Sequence, residues 1–235
     1  MPQEHTYKQF DAEIEAIRAR VLEMGGLVEE QIASAVEALA TGNIPLAQQV
    51  IDQDHRVNAL EVGIDEDCAN IIARRQPTAF DLRLVMMVIK TITDMERIGD
   101  EAAKVARMAK LVYESERISI PRFTEIRYMA DVVREMLRKA LDSFARLEVG
   151  SAADIARRDM EVDENFRMVL RHLITYMMED PRSISPFIDI LFAAKAIERI
   201  GDHAKNMSEY VVYMVKGKDV RHTSVEEIER EAQEG

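Results

Sequence analysis

Glu96-Arg97-Ile98-Gly99-Asp100 occurs a second time as Glu198-Arg199-Ile200-Gly201-Asp202, 102 residues further along the chain (198 against 96). Five identical residues in the same order indicate an internal duplication. Around both copies, apolar residues recur at steps of three and four without an intervening proline, which is the spacing of an amphipathic helix. The repeated pentapeptide therefore predicts two similar helical halves, at residues 1–116 and 117–217.

The composition also favours helices over sheets. The chain has 235 residues, of which 47% are hydrophobic, and its 9 Gly and 6 Pro are few for the turns of a many-stranded sheet. Capping and helix-breaking residues divide it into six long segments, at residues 7–41, 43–75, 78–113, 121–149, 151–179 and 185–217. Asn43 is expected to cap the second segment, and Gly217 is expected to end the sixth.

These signals together predict an all-α fold. Six long antiparallel helices would form two tandem pseudo-repeated three-helix bundles, because short connections make sequential helices antiparallel neighbours. An acidic, partly mobile tail is expected to follow at residues 218–235.

Charge, apolar runs and cysteine content exclude several functions. With 43 acidic and 31 basic residues the net charge is −12, which repels nucleic acid. The longest apolar run, at residues 84–89, is far shorter than the roughly 20 residues of a membrane span. The single cysteine, Cys68, lies among apolar residues and is expected to be a core thiol. Residues 1–10 lack a signal-peptide pattern, which favours the cytoplasm.

Acidic residues interrupt the apolar faces of several predicted helices. At about 100° per residue, Glu96 and Asp100 fall on the core face of the third segment. Glu198 and Asp202 fall on the corresponding face of the sixth. The second and fifth segments add carboxylates on or beside their packing faces. The second segment supplies Asp54 and Glu61, and the fifth supplies Asp159 and Asp163, of which Asp163 corresponds to Asn58 of the second. Each half is therefore expected to present carboxylates from two helices, beside glycines that permit close helix approach.

Carboxylates in a low-dielectric seam need compensation. An unpaired buried ion is costly, and two carboxylates one helical turn apart also repel each other. Three arrangements meet this requirement: a bound cation, arginine or lysine side chains from a neighbouring helix, or a seam that is open to water. Oxygen-only donors suit iron in its higher oxidation state, magnesium, manganese or calcium, and zinc is also compatible. The arginines available for pairing are Arg74, Arg75, Arg83 and Arg171.

Familiar enzyme motifs are missing from the sequence. It has no Walker-type glycine loop, no Gly-x-Ser-x-Gly, no His-Glu-x-x-His and no Glu-x-x-His pair of the ferritin-like di-iron proteins. His203 lies off the apolar seam and is expected at the surface. The sequence therefore predicts a protein that is not an enzyme. A carboxylate-cluster metalloenzyme, either hydrolase or oxidase, and a purely structural helical scaffold are the alternatives.

Several motifs, in order along the chain, resemble those of the PhoU family. They are the two pentapeptides, residues 73–83 before the third segment, residues 176–180 before the last predicted helix and residues 220–222 after it. The resemblance covers nearly the whole chain. It implies two repeated three-helix bundles, a homodimer, and Glu/Asp-x-x-x-Asp motifs that hold metal ions in some members, with iron, zinc, magnesium and manganese as candidates. Carried onto this sequence, the metal ligands would be Glu96, Asp100, Glu198 and Asp202, with Asp54, Glu61, Asp159 and Asp163 facing them.

The resemblance also implies a regulatory role. PhoU-like proteins are cytoplasmic negative regulators of the phosphate-starvation response and of phosphate uptake, and they act as adaptors rather than catalysts. The expected partners are the ATPase subunit of the phosphate ABC transporter and a membrane sensor histidine kinase, so membrane association would occur only through them. The first copy departs from the family pattern: Glu101 stands in the place of His203, and Asn58 stands where a second acidic ligand is expected.

Overall fold

A computed structural model of the chain describes residues 3–77, 79–114, 124–221 and 223–233, with side chains from residue 9 onward. The described residues form only helices: α1 (Gln3–Thr41), α2 (Ile44–Gln53), α3 (His55–Arg75), α4 (Ala79–Glu114), α5 (Thr124–Arg146), α6 (Ala152–Glu179), α7 (Ile184–Lys216) and α8 (Val225–Gln233), with a short 3-10 turn at Pro181–Ser183. The predicted all-α class is therefore confirmed. The expected boundary between the halves, at 116/117, lies outside the described residues.

Helix ends follow the capping signals of the sequence. The Asn43 side chain accepts a hydrogen bond from the Leu46 amide at 3.1 Å, and Pro45 lies in the first turn of α2. Gly217 ends α7 with φ +71°, and its amide donates to the Tyr213 carbonyl at 2.8 Å. A residue with a Cβ would be strained in this left-handed conformation, so glycine is the natural choice. Both predicted caps are confirmed.

The two helices that carry the pentapeptides, α4 and α7, pack along each other at the centre of the molecule. They run antiparallel, because Lys90 early in α4 lies over the ring of Tyr210 late in α7, whereas Glu101 pairs with Arg199. Helices α1, α2 and α3 pack against α4, while α5 and α6 pack against α7. One continuous hydrophobic core extends through all of these helices. Each pentapeptide therefore lies between the outer helices of its own half and the central helix of the other.

The second predicted segment is two helices, and the prediction of one helix there is wrong. The chain turns at Asp54, between α2 and α3. His55 Nδ1 donates to the Asp52 carbonyl at 2.7 Å and occupies the acceptor that the Arg56 amide would use in a continuous helix. The Val57 amide instead bonds the Asp54 carbonyl at 3.0 Å, in the tighter pattern of a turn. The break places Asp54 at the start of α3.

A helix that the sequence did not predict, α8, forms within the acidic tail. Ile228 of α8 and Val220 before it are both buried, in a small apolar cluster with Ala152, Ala153, Ala156 and Val212. Arg157 of α6 and Glu229 of α8 form an exposed ion pair beside this cluster. Two well-spaced apolar side chains are thus enough to fix α8 against α6, even though most of its residues are polar.

Two further predictions from the sequence concern Cys68 and membrane-spanning helices. Cys68 is fully buried, and burial raises the pKa of its thiol to about 12, as expected for a core thiol. Within the described ranges, none of the helices has both the length and the apolar character required to cross a bilayer.

Candidate functional site: two carboxylate clusters

The structure brings four of the predicted site residues together in the first half. We call Asp54, Glu61, Glu96 and Asp100 the first carboxylate cluster; Asp54 and Glu61 come from the α2–α3 turn and α3, and the other two come from α4. Burial raises the pKa of Glu96, and the neighbouring charges of Asp100, Glu61 and Asp54 raise it further. Burial likewise raises the pKa of Asp54 and of Glu61. These carboxylates therefore repel one another across the α3–α4 seam.

A buried amide from a third helix completes this cluster. Gln31 of α1 is 6% exposed, and its Nε2 donates to Asp54 Oδ1 at 3.3 Å. Its Oε1 is buried and has no hydrogen-bond partner among the described residues. A Cβ on Gly99 would lie 3.1 Å from that oxygen, so the glycine lets Gln31 approach α4 closely without shifting. Gln31 was not predicted as a site residue, although continuing the apolar steps of α1 beyond Val28 leads to it.

The second half contains a matching group. We call Asp159, Asp163, Glu198 and Asp202 the second carboxylate cluster; the first two come from α6 and the others from α7. Burial raises the pKa of Asp202, and the charges of Asp159 and Asp163 add to that effect. Burial also raises the pKa of Glu198, which is 8% exposed and has one oxygen without a hydrogen-bond partner in the described part of the chain. The eight predicted residues thus fall into two clusters of like charge.

Two lysines enter the second cluster. Lys195 Nζ donates to Glu198 Oε1 at 2.5 Å, and Lys205 Nζ donates to Asp159 Oδ2 at 2.9 Å. Burial lowers the pKa of Lys205, but the hydrogen bond and charge of Asp159 outweigh this effect and leave the pKa above its usual value. Lys205 therefore acts as an ammonium ion in the cluster, and Lys195 bonds a second carboxylate directly.

The arginines that the sequence offered as counter-ions do not take this role. Arg75 pairs with Glu13 at 2.7 Å, far from either cluster along the chain. Within the described ranges, Arg74, Arg83 and Arg171 form no ion pair with a cluster carboxylate. Among the described residues, pairing from a neighbouring helix is confirmed for lysine, since Lys205 of α7 pairs with Asp159 of α6, but not for these arginines.

His203 is buried, so the prediction of a surface position is wrong. Its Nδ1 donates to Asp94 Oδ1 of α4 at 2.6 Å, and both side chains are less than a tenth exposed. Burial raises the pKa of the Tyr210 hydroxyl, and its hydrogen bond to Asp94 adds to this effect. The helical wheel treats α7 as having one buried face, but α7 is covered by its own half on one side and by α4 on another. This polar contact joins the two halves between the two clusters.

The donors in both clusters are oxygens, which suit hard cations such as magnesium and manganese. Within the residues that the structure describes, however, no three His, Cys, Asp or Glu side chains already converge on one point at metal-ligand geometry. Repulsion between like charges favours side-chain directions that keep the carboxylates apart. The assignment of the eight residues as metal ligands therefore stays a prediction.

Comparison with known proteins places this geometry in a family. The PhoU domain model matches the chain twice, over residues 21–109 and 126–211, and each match contains one pentapeptide and one carboxylate cluster. The chain belongs to the PhoU family. The resemblance noted in the sequence is thus confirmed, and PhoU architecture accounts for the pairing of a repeated motif with a repeated site.

PhoU relatives match over nearly their full length. A homolog of the phosphate-specific transport system accessory protein PhoU from Pseudomonas putida is 48% identical, over 97% of this chain and 89% of that protein. The accessory protein PhoU of Escherichia coli strain K12 is 44% identical, over 96% of this chain and 93% of its own. The similarity therefore includes both clusters and most of the tail.

Solved PhoU structures have the same fold. The crystal structure of PhoU from Pseudomonas aeruginosa has a TM-score of 0.85 at 47% identity and covers 89% of this chain and 100% of its own. The phosphate transport system regulatory protein PhoU from Streptococcus pneumoniae has a TM-score of 0.82 at 28% identity, covering 90% and 99% of the two chains. The helical architecture is thus retained at low sequence identity.

Proposed function

We propose that this protein is a regulatory accessory protein of phosphate-specific transport. The observation that carries the proposal is the similarity, along nearly the whole chain, to proteins that bear this name. In this role it is a cytoplasmic homodimer that limits phosphate uptake and restrains the phosphate-starvation response when phosphate is plentiful. It acts as an adaptor between the ATPase subunit of the phosphate ABC transporter and a membrane sensor histidine kinase, and it does not catalyse a reaction.

The mechanism of such an adaptor is differential binding. For information to pass from transporter to kinase, one state of the transporter must bind the adaptor more tightly than the other state does. The lack of recognised catalytic motifs in the sequence agrees with this role.

We further propose that the chain is organised as two three-helix bundles, at residues 1–116 and 117–217, with the tail at 218–235. The pairing of helices supports this arrangement, because α1, α2 and α3 pack on α4 and the helices α5 and α6 pack on α7. In the first bundle, α2 and α3 together occupy the place of the single helix α6. The close contact between α4 and α7 would then be the interface between the bundles.

Metal binding at the carboxylate clusters is part of the proposal. The donor oxygens fit a hard cation, and the unpartnered Gln31 Oε1 adds a neutral donor beside the first cluster. A bound ion of magnesium, manganese, iron or zinc would supply positive charge that offsets the repulsion among Asp54, Glu61, Glu96 and Asp100. Its role would be to hold α3 against α4, and likewise α6 against α7 at Asp159, Asp163, Glu198 and Asp202.

A deletion strain tests the regulatory role. Without this protein, cells grown in phosphate-rich medium should express phosphate-scavenging genes at the level seen in starvation, and the wild-type gene should restore repression. Unchanged phosphate-responsive expression in the deletion strain would contradict the proposal.

Direct binding tests the adaptor role separately. The purified protein should bind the transporter ATPase subunit and the kinase without metal-dependent turnover. Turnover that is lost in both Glu96→Gln and Glu198→Gln, with neither partner bound, would instead favour the metalloenzyme alternative.

A further inference from the structure

The two carboxylate clusters differ in charge at equivalent positions. Lys195 and Lys205 of α7 correspond, at the 102-residue offset of the pentapeptides, to Thr93 and Ala103 of α4. In the second cluster both lysines bond carboxylates directly. Within the described residues, by contrast, no lysine or arginine forms an ion pair with a carboxylate of the first cluster. The first cluster therefore has no direct ion pair in the described part of the chain, and the more distant charges of Arg97 and Arg107 partly offset the raised pKa values of Glu61, Glu96 and Asp54. The second cluster holds four carboxylates with two directly bonded lysines.

The surroundings of Lys195 show that its position is built into the second half. Besides bonding Glu198, its Nζ lies 5.3 Å from the centre of the Phe166 ring, in cation–π geometry. In the first half, Glu61 of α3 corresponds to Phe166, and the nearby Thr93 partly offsets the rise in the pKa of Glu61. The Thr93 hydroxyl itself donates to the Ile89 carbonyl at 3.0 Å. One half thus places a carboxylate near a hydroxyl where the other pairs an aromatic ring with a cation. The two positions therefore differ together between the halves: Glu61 and Thr93 in the first, Phe166 and Lys195 in the second.

The helices α1 and α5, which complete the two halves, also differ in a way that favours a cation in the first half. Gln31 of α1 corresponds to Val133 of α5 at the same offset as the pentapeptides, and both face the glycine of their pentapeptide. Gln31 Oε1 is buried without a partner among the described residues, whereas the group that a Cβ on Gly201 would meet, at 3.2 Å, is a methyl of Val133. An unpartnered buried carbonyl oxygen is costly unless something donates to it or coordinates it. The first half therefore offers an additional neutral oxygen donor in the place where the second half has a methyl group.

We propose that the first carboxylate cluster is the principal divalent-cation site of this protein, and that Lys195 and Lys205 serve as internal counter-ions that weaken cation binding at the second. The inference rests on the metal binding proposed above, but it adds a ranking of the two clusters and the residues responsible for it. An ammonium group beside a carboxylate occupies the position and supplies the charge that a cation would otherwise supply. A divalent ion must displace these groups to bind the second cluster.

The test is a manganese titration of the chelator-treated full-length protein, with free Mn²⁺ measured by electron paramagnetic resonance. The first cluster is disabled by Asp54→Asn with Glu96→Gln, which isolates the second. On that background, Lys195→Thr with Lys205→Ala, the residues of the first half, should raise Mn²⁺ affinity at least about tenfold. The control is Lys139→Thr, because Lys139 is also ion-paired and its side chain is as exposed as that of Lys205. It should leave the affinity unchanged.

A reciprocal variant tests the first cluster. With the second cluster disabled by Asp159→Asn and Asp202→Asn, Thr93→Lys should lower Mn²⁺ affinity at the first cluster at least about tenfold. Helicity measured by circular dichroism identifies variants that fail to fold. If the double variant Lys195→Thr with Lys205→Ala does not fold, Lys195→Thr alone replaces it. Equal affinity of the two wild-type clusters, or no gain on removing the lysines, would overturn the ranking. Absence of Mn²⁺ binding in the wild-type protein and in every variant would overturn both the ranking and the metal assignment. It would not affect the regulatory role, which the deletion strain tests separately.

Discussion

The two halves of this PhoU-family protein share a pentapeptide and a helix pattern, yet each balances its own cluster of four carboxylates in a different way. In the second half, lysine side chains bond two of the carboxylates. In the first half, Gln31 bonds Asp54, and burial together with neighbouring carboxylates raises the pKa values of Asp54, Glu61 and Glu96. Duplication thus preserved three acidic positions, Asp54/Asp159, Glu96/Glu198 and Asp100/Asp202, while the fourth carboxylate and the residues that compensate the cluster diverged.

This difference shows that a repeated motif does not specify a repeated charge environment. The pentapeptide fixes where the glutamate and aspartate lie on the central helices, because helical spacing alone determines this. Whether they bind an ion depends on residues at other positions, such as Thr93 or Lys195. Substitutions in each half can therefore separate what the two halves share from what distinguishes them.

The largest effect is expected at the joint between α4 and α7. Asp94→Ala leaves the buried His203 and the Tyr210 hydroxyl without their acceptor, and should lower the free energy of unfolding by about 4 kcal/mol. Urea unfolding followed by circular dichroism measures this change. Asp131→Ala on α5 is the control, because its side chain is 77% exposed, and should change stability by less than about 0.5 kcal/mol. A similar small loss in both variants would show that the joint contributes little.

A pH-dependent effect is expected at Glu209 of the second half that has no counterpart at the equivalent position of the first. Burial raises the pKa of Glu209 to about 7, whereas the equivalent residue in the first half is the exposed Arg107. Because the neutral carboxyl is favoured in the folded state, its contribution is complete below pH 4.5 and is lost as the pH rises to about 7. Glu209→Gln should therefore remove up to about 3 kcal/mol of the stability lost between pH 5 and 8.

Urea unfolding at a series of pH values measures this difference. The wild-type and Glu209→Gln curves should converge toward pH 5 and separate toward pH 8, with the variant more stable. Parallel curves would show that Glu209 does not titrate in this interval.

A smaller effect is expected when a counter-ion is removed. Lys205→Met takes away the partner of the buried Asp159 and should lower the free energy of unfolding by about 2 kcal/mol in chelator. Adding Asp159→Asn should recover much of this loss, since the charge that needed a partner is then gone. No recovery in the double variant would mean that Lys205 stabilises through packing rather than through charge.

The smallest effect, of opposite sign, is expected in the first half. Glu96→Gln removes one of four repelling carboxylates and should raise the free energy of unfolding by about 0.5 kcal/mol in chelator. The same measurement in Mn²⁺ should reverse the order, because the wild-type protein gains the energy of ligand binding. Destabilisation in chelator would indicate that Glu96 makes a favourable contact rather than a repulsive one.

Much of the fold could be predicted from the sequence, because long amphipathic spacing and caps at Asn43 and Gly217 are local signals. The break at Asp54 could not, because a side chain, that of His55, competes for a backbone carbonyl without any proline or glycine to mark it. Helix α8 was missed because the two apolar residues that it packs against the cluster, Val225 and Ile228, are too few to give a periodic pattern.

The candidate site was predicted in part. The wheel placed the carboxylates on facing helices, because this needs only their spacing, but it put Asp100 and Asp202 on the buried face, whereas both are exposed. It could not identify which lysine side chains reach them, since Lys195 bonds Glu198 on its own helix. It also placed His203 at the surface, because it assumes that a helix has one buried face. A helix at the centre of two packed halves has buried residues on several sides, which only the tertiary arrangement reveals.

Anomalous X-ray diffraction from crystals of the wild-type protein grown with Mn²⁺ tests the ranking of the two clusters most directly, because it locates each ion without mutation. We expect a strong manganese peak among Asp54, Glu96 and Asp100, with a weaker peak or none beside Glu198 and Asp202. A stronger peak at the second cluster, with Lys195 and Lys205 still bonded to their carboxylates, would contradict the ranking.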